Sequence, residues 1–86
     1  MIQNNINSLV NKATALGHLQ KYEQAFQLLN KALTINTNDT EALTVRAKMS
    51  YEVGNEEDAR SDINRVLQID PADPYATGLS MRLGTD

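Results

Sequence analysis

The sequence predicts an all-α protein in which antiparallel helix hairpins stack on one another. Three observations predict this fold class: apolar residues recur at helical spacing, turn-forming residues separate the apolar segments, and the pattern repeats after 34 residues. The chain of 86 residues has the size of one small domain, and its 41% apolar and 22% charged residues are typical of a folded protein. We therefore expect a single domain over residues 1–86.

The repeat appears when the chain is compared with itself at an offset of 34 residues. The segment INTND at 35–39 then coincides with IDPAD at 69–73, so the turn between hairpins is repeated as well. The identical pairs include Leu9/Leu43, Ala13/Ala47, Ala25/Ala59, Leu33/Leu67, Ile35/Ile69, Asp39/Asp73 and Ala42/Ala76. The offset defines repeat one as residues 6–39 and repeat two as residues 40–73.

The first hairpin is predicted to pair a helix over 5–19 with a helix over 22–36. Its small and apolar positions are the ones that recur in the second copy. Gly17 lies inside the first of these helices, where glycine costs about 1 kcal/mol relative to alanine. Packing between helices must therefore outweigh the poor helix propensity at this position.

The second hairpin is predicted to pair a helix over 40–53 with a helix over 56–69. Asn55 is suited to cap the second of these helices, because its side chain can accept a hydrogen bond from an unpaired backbone N–H. Pro71 ends the helix, since the residue before a proline is disfavoured in the helical conformation. The apolar stripe of this helix consists of Ala59, Ile63, Val66 and Leu67.

A short fifth helix is predicted over residues 74–83. Asp73 is a suitable N-cap, and Pro74 fits the first helical position. Gly84 is suited to end the helix in the left-handed conformation. We interpret this helix as one that caps the stack.

The composition argues against several classes of function. The absence of cysteine excludes disulfides, thiolate metal sites and cysteine nucleophiles. The net charge of −3 argues against nucleic-acid binding, in which clustered Lys and Arg supply most of the affinity. The sequence shows no signal peptide and no apolar run long enough to span a membrane, so we expect a cytoplasmic protein without membrane contact.

No residue pattern indicates catalysis or a cofactor. His18 is the only histidine, and the chain has neither a GxSxG motif nor a glycine-rich phosphate loop. The acidic run at 56–58 is better explained by the start of a helix, where the dipole favours negative charge, than by a cation site. We predict a protein that is not an enzyme and that binds no metal or cofactor.

A 34-residue repeat containing two antiparallel helices resembles the tetratricopeptide repeat. The resemblance depends on the small residues Ala13 and Ala47 within the first helices, and on Ala25 and Ala59 near the start of the second helices. It covers both full repeats and a partial third unit at 74–86.

The sequence departs from the family pattern in the first helix of each repeat. The family's large aromatic residue, its leucine–glycine pair and its tyrosine are all replaced, and the closing proline is missing from repeat one. The replacing residues are Leu9 and Leu43, Lys12-Ala13 and Arg46-Ala47, Leu16 and Ser50, and Thr37. The fold prediction is retained because it depends on period and pattern together.

The resemblance implies a short right-handed superhelix whose concave surface binds an extended peptide or a partner's helix. That surface is lined by the first helix of each repeat. In this sequence it would carry Asn7, Val10, Asn11, Thr14, Glu41, Thr44, Val45, Lys48, Tyr51, Tyr75, Leu79 and Arg82. The resemblance thus implies a non-catalytic interaction module of the adaptor, scaffold or co-chaperone type.

These surface residues favour a peptide that carries an apolar residue and an acidic residue. Val45 and Leu79 are apolar, while Lys48 and Arg82, one repeat apart, are basic. One subgroup of the family grips the carboxylate tail of heat-shock chaperones with lysine and asparagine on this surface. Here those places hold Val10, Thr14 and Val45. We therefore reject that clamp.

Self-association is the alternative function. Two repeats and a short helix are fewer than the three or more repeats usually needed for stability. The apolar residues that could be left uncovered, and buried in a homodimer, are Ile2, Ile6, Met81 and Leu83. Thr77 and Ser80 favour instead a polar capping face on the last helix. A piece of a longer repeat array is a further alternative, although Met1 and the Gly84 cap favour a complete unit.

Overall fold

The computed structural model describes residues 2–84, and this range contains five α-helices and no strand. They are α1 (Ile2–His18), α2 (Tyr22–Ile35), α3 (Thr40–Glu52), α4 (Glu56–Ile69) and α5 (Pro74–Leu83). The helices α1 and α2 form one hairpin, α3 and α4 form a second, and α5 packs against α4. The prediction of an all-α helical-repeat fold is confirmed.

Side-chain caps begin three of the helices. Asp39 and Asp73 each accept a hydrogen bond from the backbone N–H three residues later, at 2.9 and 2.8 Å. Asn55 does the same at the start of α4, at 3.2 Å. Each cap satisfies an N–H that has no partner within its helix. The predicted caps at Asn55 and Asp73 are confirmed.

The turn inside each hairpin contains a residue with positive φ at the same repeat position. Gly54 has a φ of 88°, and Gln20, one repeat earlier, has a φ of 62°. Glycine adopts this left-handed region freely, whereas residues with a Cβ rarely do. The same conformation ends α5 at Gly84, with a φ of 67°, as predicted.

The core is formed by the apolar positions that repeat. Ala13 and Ala25 in the first hairpin, and Ala47 and Ala59 in the second, are fully buried. Because a methyl group occupies little space, helices that carry it can approach closely. Larger residues fill the remaining interior, and the largest fully buried side chains are Ile6, Val10, Leu29, Ile63 and Val66. The sequence offset therefore relates equivalent core positions.

Two apolar residues predicted to be uncovered at the ends of the stack are buried instead. The exposed fraction is 1% for Ile6 and 7% for Leu83, against 68% for Ile2 and 77% for Met81. The prediction was wrong for Ile6 and Leu83 because each lies four residues from another core residue of its helix, and hence on the same face.

The packing of α3 against α1 depends on Gly17. A Cβ built on Gly17 would lie 2.6 Å from the Cε of Met49. The Met49 side chain is buried and fills the space that the glycine leaves. This contact explains why a residue of poor helix propensity lies inside α1.

A polar contact joins three helices beside the core. Arg46 of α3 donates from Nε and Nη2 to the two carboxylate oxygens of Asp62 in α4, both at 2.8 Å. Its Nη1 donates to Oδ1 of Asn30 in α2 at 2.9 Å. The hydrogen bonding to Asp62 raises the pKa of Arg46 above its ordinary value, and partial burial opposes this effect. The contact therefore links the two hairpins.

Candidate functional site

The first helices of the hairpins share one surface, here termed the inner surface. We define it as the side of α1, α3 and α5 that carries Asn7, Asn11, Thr14, Thr44, Val45, Lys48, Tyr75 and Arg82, all at least partly exposed. Direct packing brings α1 beside α3. The repeat offset places Lys48 of α3 and Arg82 of α5 at equivalent positions.

A small pocket, the first pocket, lies between α1 and α3 on this surface. It has a volume of about 60 Å³. It is lined by Thr14, Gly17, His18, Val45, Lys48, Met49 and Glu52. Val45 and Met49 supply an apolar floor, whereas Lys48 and His18 are exposed. Its small size and apolar floor suit a small aliphatic side chain.

A second pocket of about 140 Å³ lies along α5 and is lined by Pro74, Tyr75, Gly78, Leu79 and Arg82. Burial raises the pKa of Tyr75 above its ordinary value of 10.0. The negative charge of Glu52 adds to this effect, and the positive charge of Arg82 opposes it. The phenol is therefore a neutral hydrogen-bonding group at physiological pH.

The two pockets share two equivalent positions on α3 and α5, although the first pocket lies between α1 and α3 and the second lies along α5 alone. The equivalent residues are Val45 and Leu79, and Lys48 and Arg82. In both pockets an aliphatic residue forms part of the floor, and a basic residue lies one helical turn further along the helix. The structure thus brings together Thr14, Val45 and Lys48 in one pocket, and Tyr75, Leu79 and Arg82 in the other.

Three predicted surface residues belong wholly or partly to the core. Val10 is 1% exposed and Leu79 is 3% exposed, so the expectation that their side chains face a partner is corrected. Leu79 contributes only to the floor of the second pocket. Tyr51 is half-buried and packs against the core. On each helix the core face adjoins the inner surface, and these residues lie at the boundary between the two or on its core side.

Several polar groups of the inner surface are already engaged within the protein. The hydroxyls of Thr14 and Thr44 donate to backbone carbonyls of their own helices, at 2.9 and 2.6 Å. Asn7 accepts a hydrogen bond from Gln3 at 3.1 Å. Lys48 and Arg82 make no side-chain hydrogen bond or ion pair with any other residue in the range 2–84. These two basic groups are therefore available to a partner, and the exposed carboxylate of Glu52 also lines the first pocket.

The sequence analysis did not place Gly17, His18, Met49 or Glu52 at the first pocket. His18 and Glu52 occupy equivalent repeat positions, so the 34-residue offset could have indicated that they are related. Gly17 and Met49 meet through a contact between residues far apart in the chain, and no local pattern indicates such a contact.

The acidic and histidine side chains of residues 2–84 form no group of three or more that could hold one metal ion. In the same range, no helix is both long enough and apolar enough to cross a membrane.

Comparison with known protein families gives a match over most of the chain. A family model described as tetratricopeptide repeat matches residues 18–83, which is more than half of the chain. No similar curated protein and no similar solved structure is found. The matched range begins at the end of α1 and runs through α5, and so it contains both helices of the second hairpin. Together with the 34-residue offset and the stacked hairpins, the match shows that the chain belongs to the tetratricopeptide repeat family.

Proposed function

We propose that the inner surface binds an extended segment of a partner protein. Tetratricopeptide repeats generally mediate protein–protein interactions, and they are generally non-catalytic. The observation that most supports the proposal is that the two pockets share two equivalent positions, an aliphatic residue in the floor and a basic residue nearby. An extended chain laid across α1, α3 and α5 would meet both pockets, as expected of an adaptor or scaffold module.

The chemistry of the pockets favours a small aliphatic residue and an acidic residue in the bound segment. The first pocket, at about 60 Å³, is less than half the size of the ~150 Å³ cavity known to hold benzene, so it suits an aliphatic side chain better than a ring. Lys48 and Arg82 are exposed and have no acidic partner among residues 2–84, which leaves them available to a carboxylate.

The test is the double substitution Lys48→Glu with Arg82→Glu. Peptides selected from a display library on the unmodified protein provide the ligands, and fluorescence anisotropy measures their affinity. We expect the substitution to weaken binding about tenfold or more, because two attractive contacts become repulsive. Unchanged affinity would contradict the proposal that Lys48 and Arg82 on the inner surface bind an acidic residue.

A matched control distinguishes the effect of the inner surface on peptide affinity from the effect of net charge. Lys12→Glu with Lys31→Glu makes the same change in charge at two exposed residues that lie outside both pockets. We expect this variant to bind the selected peptides within about twofold of the unmodified protein, as is usual for exposed charges outside a contact. An equal loss in both variants would attribute the binding to overall charge.

Self-association has less support from the structure. Of the four apolar residues considered for a homodimer, Ile6 and Leu83 lie in the core, and only Ile2 and Met81 are exposed. We propose instead that residues 1–86 form one domain of two repeats, 6–39 and 40–73, closed by the helix at 74–83.

A further inference from the structure

The second helices of the hairpins border a groove that the proposed function does not use, here termed the outer groove. One wall comes from α2, the other from α4, and the floor from α3. The groove consists of two cavities, of about 430 and 480 Å³. Both cavities are bounded by Asn30, Arg46, Ser61 and Asp62. The two cavities therefore meet at the Arg46–Asp62 ion pair, which forms the centre of the groove.

The centre of the groove is polar but close to neutral in charge. Arg46 and Asp62 neutralise each other through two hydrogen bonds of 2.8 Å. Arg46 uses three of its five N–H donors on Asp62 and Asn30. The exposed side chains of Asn30 and Ser61 can still donate into the groove. Such a floor provides hydrogen bonds for a peptide backbone without favouring either sign of charge.

The first half of the outer groove is negative. Besides the shared residues it is lined by Phe26, Ser50, Val53, Asn55 and Asp58. Asp58 is exposed, and one of its carboxylate oxygens accepts from Nδ2 of Asn55 at 2.7 Å, which leaves the other oxygen for a ligand. An aromatic ring such as that of Phe26 also attracts a cation. This half suits a basic side chain.

The second half of the outer groove is positive. Besides the shared residues it is lined by Leu33, Thr34, Thr37, Leu43 and Arg65. Arg65 is exposed, and its Nη1 donates to Oδ1 of Asn38 at 2.9 Å. The remaining N–H groups of a guanidinium can bind a carboxylate, and the Thr37 hydroxyl can add a hydrogen bond. The Thr34 hydroxyl already donates to the backbone carbonyl of Asn30 at 2.9 Å. This half suits an acidic side chain.

We propose that the outer groove binds a second extended peptide segment, with a basic side chain at Asp58 and an acidic side chain at Arg65. These two residues are seven positions apart on α4, which is about 10 Å along the helix axis. An extended chain covers that distance in about three residues. The segment therefore carries its two opposite charges three positions apart, in either chain direction. This choice of peptide is based on the charges of Asp58 and Arg65, which complement its basic and acidic side chains. It differs from the ligand proposed for the inner surface.

The test is a titration of the isotopically labelled full chain, followed by amide chemical shifts in nuclear magnetic resonance spectra. The probes are capped seven-residue peptides with lysine and glutamate three positions apart, and matched peptides with two lysines or two glutamates. We expect shifts along α2 and α4 for the mixed-charge peptides. The like-charged peptides should bind about two- to fivefold more weakly, the range of one exposed ion pair.

Three variants assign the site. Asp58→Asn and Arg65→Gln should each weaken the mixed-charge peptide about two- to fivefold. Lys12→Gln, at an exposed residue outside both pockets and the outer groove, should leave its affinity unchanged. Circular dichroism checks that each variant is folded. The absence of shifts at millimolar peptide would overturn the proposal, as would shifts confined to the inner surface. Neither result affects the inner-surface proposal, because that proposal is tested with different ligands and variants.

Discussion

At the scale of single residues, Gly17 and Met49 show how one glycine permits close packing between repeats. An alanine Cβ at position 17 would lie 2.6 Å from the Cε of Met49, so the buried methionine would have to move. In the opposite direction, alanine is favoured over glycine by about 1 kcal/mol within a helix. Two effects of opposite sign therefore act at one position.

A double-mutant cycle separates these two effects. Gly17→Ala alone should leave the free energy of unfolding unchanged or lower it, because the methionine obstructs the new methyl group. In the background of Met49→Leu, whose side chain is shorter, the same substitution should raise the free energy of unfolding by about 1 kcal/mol. Urea unfolding followed by circular dichroism measures both effects. Additivity within about 0.5 kcal/mol would contradict the contact.

Tyr75 couples ionisation to stability at high pH. Burial and the charge of Glu52 raise the pKa of Tyr75 above 10.0 in the folded protein. A group with a raised folded pKa contributes stability that is fully present below its unfolded pKa and is lost as the pH rises through its folded pKa. The stability linked to Tyr75 should therefore be fully present and independent of pH near neutrality, and it should be lost only above about pH 10.

The ionisation of Tyr75 can be measured from phenolate absorbance. The difference between the titration curves of the unmodified protein and the variant Tyr75→Phe isolates this one phenol from the other tyrosines. We expect a midpoint above the ordinary value of 10.0. A midpoint at or below that value would show that the phenol is solvated and that the second pocket is more open than described.

At the scale of helices, the Arg46–Asp62 pair holds α4 against α3. Asp62 is buried, so Asp62→Leu would leave a half-buried guanidinium without its charged partner. We expect this variant to lower the free energy of unfolding by about 1–3 kcal/mol, as measured by urea denaturation. The pair of substitutions Arg46→Leu and Asp62→Leu should recover part of that loss, because no charge is left unpaired. A double variant less stable than the single one would contradict the explanation by an unpaired charge.

Helix ends were predictable where their signals are local. The bounds of α2 to α5 were predicted within one residue, because caps such as Asp73 and stops such as Gly84 lie next to the helices they limit. The start of α1 was predicted three residues late. Gln3 in its first turn donates to Asp39, 36 residues away, at 3.1 Å. A local sequence pattern cannot predict a contact between residues this far apart.

At the scale of the whole molecule, the repeat offset predicted which helices stack, but not where the core ends on each helix. Val10 and Leu79 were therefore wrongly predicted to face a partner, because neighbouring positions on one helix turn differ in burial. The outer groove was missed for a related reason. Arg46 stood out in the sequence only as a departure from the family pattern, and its partner Asp62 lies one helix away. Pairing between helices required the structure.

Two core positions at the junction between the repeats carry larger apolar side chains than the corresponding positions at the ends of the stack. Buried Met49, at the junction, corresponds to exposed Ala15 on α1, one repeat earlier. Buried Leu43 corresponds in the same way to exposed Thr77 on α5. Met81 is an exception, because it is exposed where its counterpart Ala47 is buried. The smaller side chains of Ala15 and Thr77 leave less apolar surface for packing at these two end positions, which favours a stack that does not add further copies of itself.

We therefore expect a monomer in solution. Light scattering behind a sizing column should give the mass of one chain over a wide range of concentration. The variant Met81→Ser should have the same mass, since it removes the most exposed apolar side chain among residues 2–84. A dimer that Met81→Ser dissociates would contradict this expectation and would identify α5 as the contact between copies.

Asp39 has a different neighbour on each of its two carboxylate oxygens. One accepts the N–H of Ala42 at the start of α3, and the other accepts the side chain of Gln3 in the first turn of α1. Asp73, one repeat later, makes only the first kind of contact within residues 2–84, because Thr37 stands where Gln3 would be. In hydrogen exchange, the first turns of α1 and α3 should therefore open as one cooperative unit, while α5 should open separately and more often.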